Sequence, residues 1–103
     1  MSLILHLKRF TFDGYTSRKI SRIVAYPDIL TLGRRHGQNN LRYQLSAIVE
    51  HIGDSPSSGH YICYSRRIDG SYLVFDDEKV KELPRGQHLG KQAYLLLYNR
   101  IEE

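Results

Sequence analysis

Tryptophan is absent from this sequence, and methionine and cysteine occur once each. The single cysteine, Cys63, excludes an internal disulfide and any zinc site of the Cys-x-x-Cys type. A lone thiol fits a reducing compartment. Long apolar runs are missing as well: nothing approaches the roughly 20 residues that span a bilayer as a helix. Leu3–Leu7 is too short and too close to Met1 for a signal peptide. The expectation is a cytoplasmic or nuclear protein that makes no use of a membrane. A basic stripe is lacking too. The net charge is +4, but its pairs, Lys8-Arg9, Arg18-Lys19, Arg34-Arg35 and Arg66-Arg67, are scattered along the chain. Scattered charge of this kind reads as solvated strand ends and loops, and no nucleic-acid partner is expected.

What the chain does have is tyrosine, eight in 103 residues, among many β-branched and aromatic positions. Such residues fit a pleated, half-buried surface. No segment keeps a helical period, and there is no internal repeat or domain boundary. Leu3–Phe10 reads as a buried strand that starts almost at the first residue, as in a chain cut out of something larger. Asp13-Gly14 marks a turn. Ile20, Ile23 and Val24 read as a second strand closed by Tyr26-Pro27-Asp28, and Gly33–Asn40 reads as a polar loop. Tyr43, Leu45, Ala47 and Val49 share one strand face by period-two alternation, with Ile48 and Ile52 on the other. Gly53–Gly59 is rich in turn formers and reads as a loop. His60–Tyr64 is a strand, Asp69-Gly70 a hairpin signal, Tyr72–Phe75 the return strand, and Val80–Leu83 a short strand. Pro84–Gln92 reads as a loop with room for one helical turn, and Ala93–Tyr98 as a strongly apolar last strand. The fold class expected is mainly β, an antiparallel sheet with little helix.

Among five histidines, His6, His36 and His88 sit in a strand and two loops with nothing to mark them. His60 follows a glycine, heads a strand and ends a small-residue loop, a common setting for a catalytic group. Asp76 and Asp77 end the next strand, and a carboxylate there could orient an imidazole and stabilise its charged form. Register decides whether they meet. A two-residue turn at Asp69-Gly70 pairs Cys63 with Asp76 and puts Asp76 on the face opposite His60. A three-residue loop, Ile68-Asp69-Gly70, pairs Ile62 with Asp76 and makes His60 and Asp76 diagonal neighbours on one face, roughly 7–8 Å apart at Cα. Gly70 supplies the left-handed third position that loop needs. A five-residue loop gives the same parity. Cys63 lies three residues beyond His60, so it points to the other face and reads as a small core residue rather than a nucleophile.

These segments together resemble the C-terminal part of the ubiquitin-specific proteases, papain-like cysteine proteases. Leu3–Phe10 looks like that family's LILHLKRF strand, and Tyr43–Gly53 like its Y-x-L-x-A-V-V-x-H-x-G segment. Gly59-His60-Tyr61 with Tyr64 is similar to its histidine box, and Phe75-Asp76-Asp77 with Val80 to its F-[ND]-D-x-x-V element. Ala93–Arg100 resembles its closing AYLLFYxR strand. Tyr72 stands where the family usually has tryptophan. The cysteine box and the Cys-x-x-Cys fingers do not occur in these 103 residues.

The resemblance implies that the sheet is the palm part of a papain-like domain, with residues 1–103 its C-terminal portion. It implies a deubiquitinase that hydrolyses isopeptide bonds after the last ubiquitin glycine, without metal or cofactor. His60 would be the general base, Asp76 its orienting partner and Asp77 an auxiliary polar residue. His51, Gly53, Gly59 and Tyr61 would lie along the ubiquitin tail. Gly53–Gly59 and the Phe12–Arg18 turn would correspond to two blocking loops. The partners implied are ubiquitin or ubiquitinated proteins and an N-terminal half bearing the nucleophilic cysteine. Without that half, the isolated chain would be inactive. The alternative is a non-catalytic ubiquitin-binding or scaffold module.

Overall fold

The computed structural model describes residues 2–7, 9–12, 17–19, 25–33, 40–55 and 58–101, with the backbone alone described at 10–12, 17–19, 54, 55 and 58. Nine strands and no helix are found among them: β1 Ser2–His6, β2 Phe10–Phe12, β3 Ser17–Lys19, β4 Ile29–Leu32, β5 Leu41–Ser55, β6 Ser58–Arg66, β7 Tyr72–Asp76, β8 Lys79–Leu83 and β9 Ala93–Arg100. Seven form one antiparallel sheet in the order β1-β9-β5-β6-β7-β8. The N-terminal end of β5 pairs β4 and its C-terminal end pairs β6. β2 and β3 form a separate ribbon.

The first strand is shorter than the apolar run implies. β1 ends at His6, and the chain resumes as β2 in the ribbon. Between them Arg9, almost fully buried, donates from Nε to the Ala93 carbonyl at 2.5 Å. The buried guanidinium is thus tied to the start of β9. The strand expected around Ile20, Ile23 and Val24, the Asp13-Gly14 turn and most of the 33–40 loop lie outside the described residues. β4 was not expected: its four residues carry no alternation long enough to read. Residues 85–90 are turns, with no helical turn among them.

The central strand corrects the expected faces. Leu45 pairs Tyr98, whereas Ala47 pairs Leu97, so Ser46 is an extra residue on β5. A bulge of this kind shifts the side-chain parity by one. Tyr43 and Leu45 before it therefore share the buried face with Ile48 after it, and Ala47 and Val49 fall on the other, partly open face. Across the sheet the buried face continues through Leu96 and Tyr98, Ile62 and Tyr64, and Tyr72. Leu3, Leu5 and Leu7 pack against it from β1 and its continuation.

Tyr26 closes this face from above. Its hydroxyl donates to the His88 carbonyl at 2.7 Å and accepts the Lys91 amide at 3.1 Å. The Tyr98 hydroxyl donates to the Pro27 carbonyl at 2.7 Å. Tyrosine suits these positions because its ring fills core space while its hydroxyl ties a loop that has no ladder of its own. The tyrosine-rich composition is thus used to fasten segments 25–28 and 84–92 onto the sheet.

Candidate active site

The β6–β7 hairpin sets the geometry. The Arg67 amide donates to the Ser71 carbonyl and the Gly70 amide to the Arg67 carbonyl, leaving Ile68-Asp69-Gly70 as a three-residue loop. Gly70 has φ 89, the left-handed value this loop requires. Asp69 accepts from the Ser71 amide and hydroxyl at 2.9 and 2.6 Å and stiffens the turn. The register that follows, Arg66 with Tyr72 through Cys63 with Phe75, carries His60 and Asp76 onto one face at the far end of the hairpin.

There the His60 Nε2 and the Asp76 Oδ1 are hydrogen-bonded, both side chains about one-third exposed. The hydrogen bond raises the imidazole pKa above its ordinary value. Desolvation opposes the rise, and the Asp77 and Asp76 charges add to it. Asp77 Oδ2 stands 3.6 Å from Nδ1, an ion-pair distance rather than a hydrogen bond. Asp77 occupies the turn into β8 with φ 53, a left-handed conformation that aspartate tolerates better than most residues. A non-glycine residue held in this region carries local backbone strain. With Nε2 held by Asp76, Nδ1 is the nitrogen left to exchange a proton with a reacting group.

His60, Asp76 and Asp77 also present ligand atoms within 4.8 Å of one another. The two carboxylates, however, address different ring nitrogens, and an ion can draw on only one. The set therefore suits an oriented acid–base imidazole better than a metal cage.

Cys63 is on the opposite face, paired with Val49 and Phe75. Burial pushes its thiol pKa up, the wrong direction for a nucleophile. His51 and Tyr61 form a cross-strand pair on the Cys63 face, at the same end of the sheet as His60. The His51 ring is buried edge-on against Tyr61, with centroids 4.8 Å apart, and Tyr94 lies 6.0 Å from both. Tyr61 is about half exposed, at 47%.

Gly53 and Gly59 are not in a free loop. β5 runs through Gly53 to Ser55 and β6 starts at Ser58, with Ser55 pairing Ser58 across an irregularity. Strand pairing overrides the turn-forming composition here, and only residues 56–57 lie between the strands, outside the described residues. Gly59 has φ +127, and a Cβ on it would fall 2.6 Å from the Ile52 carbonyl oxygen and 2.7 Å from His51 Nε2. The backbone before His60 thus packs directly on the His51 ring.

A second histidine–carboxylate pair had no mark in the sequence. His88, buried, contacts Asp28 Oδ1 through Nε2 at 2.5 Å and stacks on Tyr72, centroids 4.4 Å apart. A separation of 60 positions leaves no local signal to read.

The profile of the family described as ubiquitin carboxyl-terminal hydrolase matches residues 1–98. The probable ubiquitin carboxyl-terminal hydrolase 16 of Schizosaccharomyces pombe is 39% identical over 100 residues, covering 95% of this chain and 22% of that protein. Ubiquitin carboxyl-terminal hydrolase 10 of Saccharomyces cerevisiae is 40% identical over 103 residues, covering 97% of this chain and 13% of that protein. Among solved structures, the SAGA DUB module Ubp8/Sgf11/Sus1/Sgf73 bound to monoubiquitin contains a chain superposing with TM-score 0.88 at 30% identity, over 98% of this chain and 23% of that one. The chain spans less than a quarter of the length of these relatives.

Proposed function

Because the chain belongs to the ubiquitin carboxyl-terminal hydrolase family, we propose that it is the base-bearing, C-terminal portion of a deubiquitinase catalytic domain. Its sheet is the palm of that papain-like fold. The hydrogen-bonded His60–Asp76 pair is the observation that carries the reading. In this mechanism Asp76 holds Nε2–H, and Nδ1 of His60 takes the proton of a cysteine thiol supplied by the N-terminal part of the domain. The thiolate attacks the carbonyl after the last ubiquitin glycine. His60 returns the proton to the leaving lysine amine, and water then releases the acyl group. Asp77 adds charge on the Nδ1 side and favours the imidazolium while the thiolate attacks.

The ubiquitin tail runs past Gly53, Gly59 and Tyr61, with His51 supporting Tyr61 from below. The chemistry takes place in the cytosol or nucleus, with neither metal nor cofactor and with no role for nucleic acid or membrane.

One observation favours a second reading, a non-catalytic ubiquitin-binding module. The only thiol in the chain, Cys63, faces away from His60. Mixing the chain with a cysteine-bearing N-terminal segment from a relative, and assaying cleavage of a fluorogenic ubiquitin C-terminal amide, separates the two. Turnover that His60→Ala abolishes supports the enzyme. Ubiquitin binding with no turnover supports the module.

A further inference from the structure

Tyr64 stands between two carboxylates on the face that carries His60. Ile62 pairs Glu50 on β5, and continuing the β6–β7 ladder one step past Cys63 and Phe75 sets Asp76 opposite Ile62 on the other side. Tyr64, two positions further along β6, pairs Ile48 and Val74. Glu50 and Asp76 are therefore its diagonal neighbours, one on each flanking strand. Diagonal pairs of this kind lie within reach of an aromatic side chain.

The hydroxyl is committed to one of them. Tyr64 Oη donates to Glu50 Oε1 at 2.8 Å. Glu50 Oε2 accepts the Gln92 amide at 2.9 Å, so both oxygens of that carboxylate are engaged. The Tyr64 ring is buried, with the Lys91 ammonium 5.6 Å from its centroid. Burial, then the Glu50 hydrogen bond, then the charges of Glu50, Tyr26 and Asp76 push the Tyr64 pKa up, so the hydroxyl stays a proton donor. Asp76 thus acts on this hydroxyl by its charge without receiving its hydrogen bond, and its Oδ1 goes to His60 Nε2. A buried hydroxyl that loses its acceptor carries a desolvation cost and takes the next acceptor within reach. On this face that acceptor is Asp76.

Taking His60 and Asp76 as the acid–base pair of the function proposed above, we propose that Glu50 is a positioning residue that binds the Tyr64 hydroxyl and so reserves Asp76 for His60. The charged groups that act on the imidazole are Asp76 and Asp77, and the residue opposite it on β5 is the apolar Ile52. Glu50 therefore works through Tyr64 and Asp76. A second donor on Asp76 would stabilise its carboxylate by a further hydrogen bond and weaken its hold on the imidazolium.

The test is histidine ring NMR on the isotope-labelled 103-residue chain, which reads the His60 midpoint without any turnover. Glu50→Ala should lower the midpoint by roughly half a pH unit or more. Adding Tyr64→Phe should return it to the wild-type value, because no hydroxyl is left to compete for Asp76. Glu50→Gln keeps an acceptor for Tyr64 and should hold the midpoint near the wild-type value. Glu50→Leu, apolar and of similar length, serves if Glu50→Ala disturbs the fold, with the same fall and the same recovery expected. In the enzyme complemented with a cysteine-bearing N-terminal segment, Glu50→Ala should lower kcat by roughly three- to tenfold with KM unchanged, and adding Tyr64→Phe should recover it. A midpoint that Glu50→Ala leaves in place overturns the proposal. A midpoint that falls equally with and without the Tyr64 hydroxyl overturns it too, since Glu50 would then act through the Gln92 amide alone. The expected midpoints in a chain whose complemented form shows no turnover would uphold the role of Glu50 and remove the deubiquitinase reading instead.

Discussion

His60 and Asp76 are diagonal neighbours on one face of the β6–β7 ladder, one on each strand, and their side chains meet across it. The contact depends on a turn that is remote in space: a three-residue loop with left-handed Gly70 fixes the parity that puts both on one side. A one-residue slip would send Asp76 to the Cys63 face. The candidate chemistry is thus set by the opposite end of the hairpin.

Gly70 is therefore a sensitive position for function. Gly70→Val forces a β-branched residue into φ 89, where its Cβ would also come 3.0 Å from Arg85 Nε. The expected result is a loss of about 1–3 kcal/mol of stability by denaturant unfolding. In the complemented enzyme, turnover should fall as the His60–Asp76 contact loosens. A variant that keeps both stability and turnover would show that the register does not depend on this turn.

In the complemented enzyme His60→Ala should lower kcat by roughly 10²–10⁴-fold or more. Asp76→Ala should also reduce it strongly. Cys63→Ala should leave it nearly unchanged, because that thiol is on the other face with its pKa raised by burial. The isolated chain should not react with a ubiquitin C-terminal thiol probe. Labelling of Cys63 that depends on His60 would contradict this assignment.

The pH dependence has a definite sign. The folded pKa of His60 is raised above its ordinary 6.5, chiefly by the hydrogen bond to Asp76. Its contribution to stability is therefore full below 6.5 and is lost as pH rises through the raised folded value. Histidine ring NMR should give a midpoint above 6.5 for His60, and Asp76→Asn should bring it down toward that value. A midpoint unchanged by Asp76→Asn would mean the contact is not made in solution.

Much of this was legible in the sequence, for physical reasons that differ by residue. The hairpin was readable because Asp69-Gly70 has strong turn chemistry and short runs rich in β-branched and aromatic residues stand on either side of it. Parity left the His60–Asp76 face open between a two-residue and a three-residue turn, and the glycine at position 70 permitted the loop that brings them together. The faces of β5 were not readable: the bulge at Ser46 leaves no compositional trace, and it is the partner strand β9 that requires it. The turn-forming composition of Gly53–Gly59 favours a loop, whereas pairing with β6 carries β5 on to Ser55. The His88–Asp28 pair depends on tertiary packing of two loops and has no local signature.

Gly59 gives the most local test of how the site is built. Gly59→Ala places a methyl group 2.6 Å from the Ile52 carbonyl oxygen and 2.7 Å from His51 Nε2, at φ +127, which alanine rarely adopts. Backbone and a buried ring are both stiff neighbours, so β6 must move away from β5 where His60 begins. A cost of about 1–3 kcal/mol is expected from the backbone strain alone. The displacement should also separate two effects in the complemented enzyme. If Gly59 serves by letting the ubiquitin tail pass close to the backbone, KM rises with the His60 midpoint unchanged. If it serves by seating His60, the midpoint shifts toward the ordinary value and kcat falls. Wild-type stability together with wild-type kinetics would show that β6 does not pack on His51 as described.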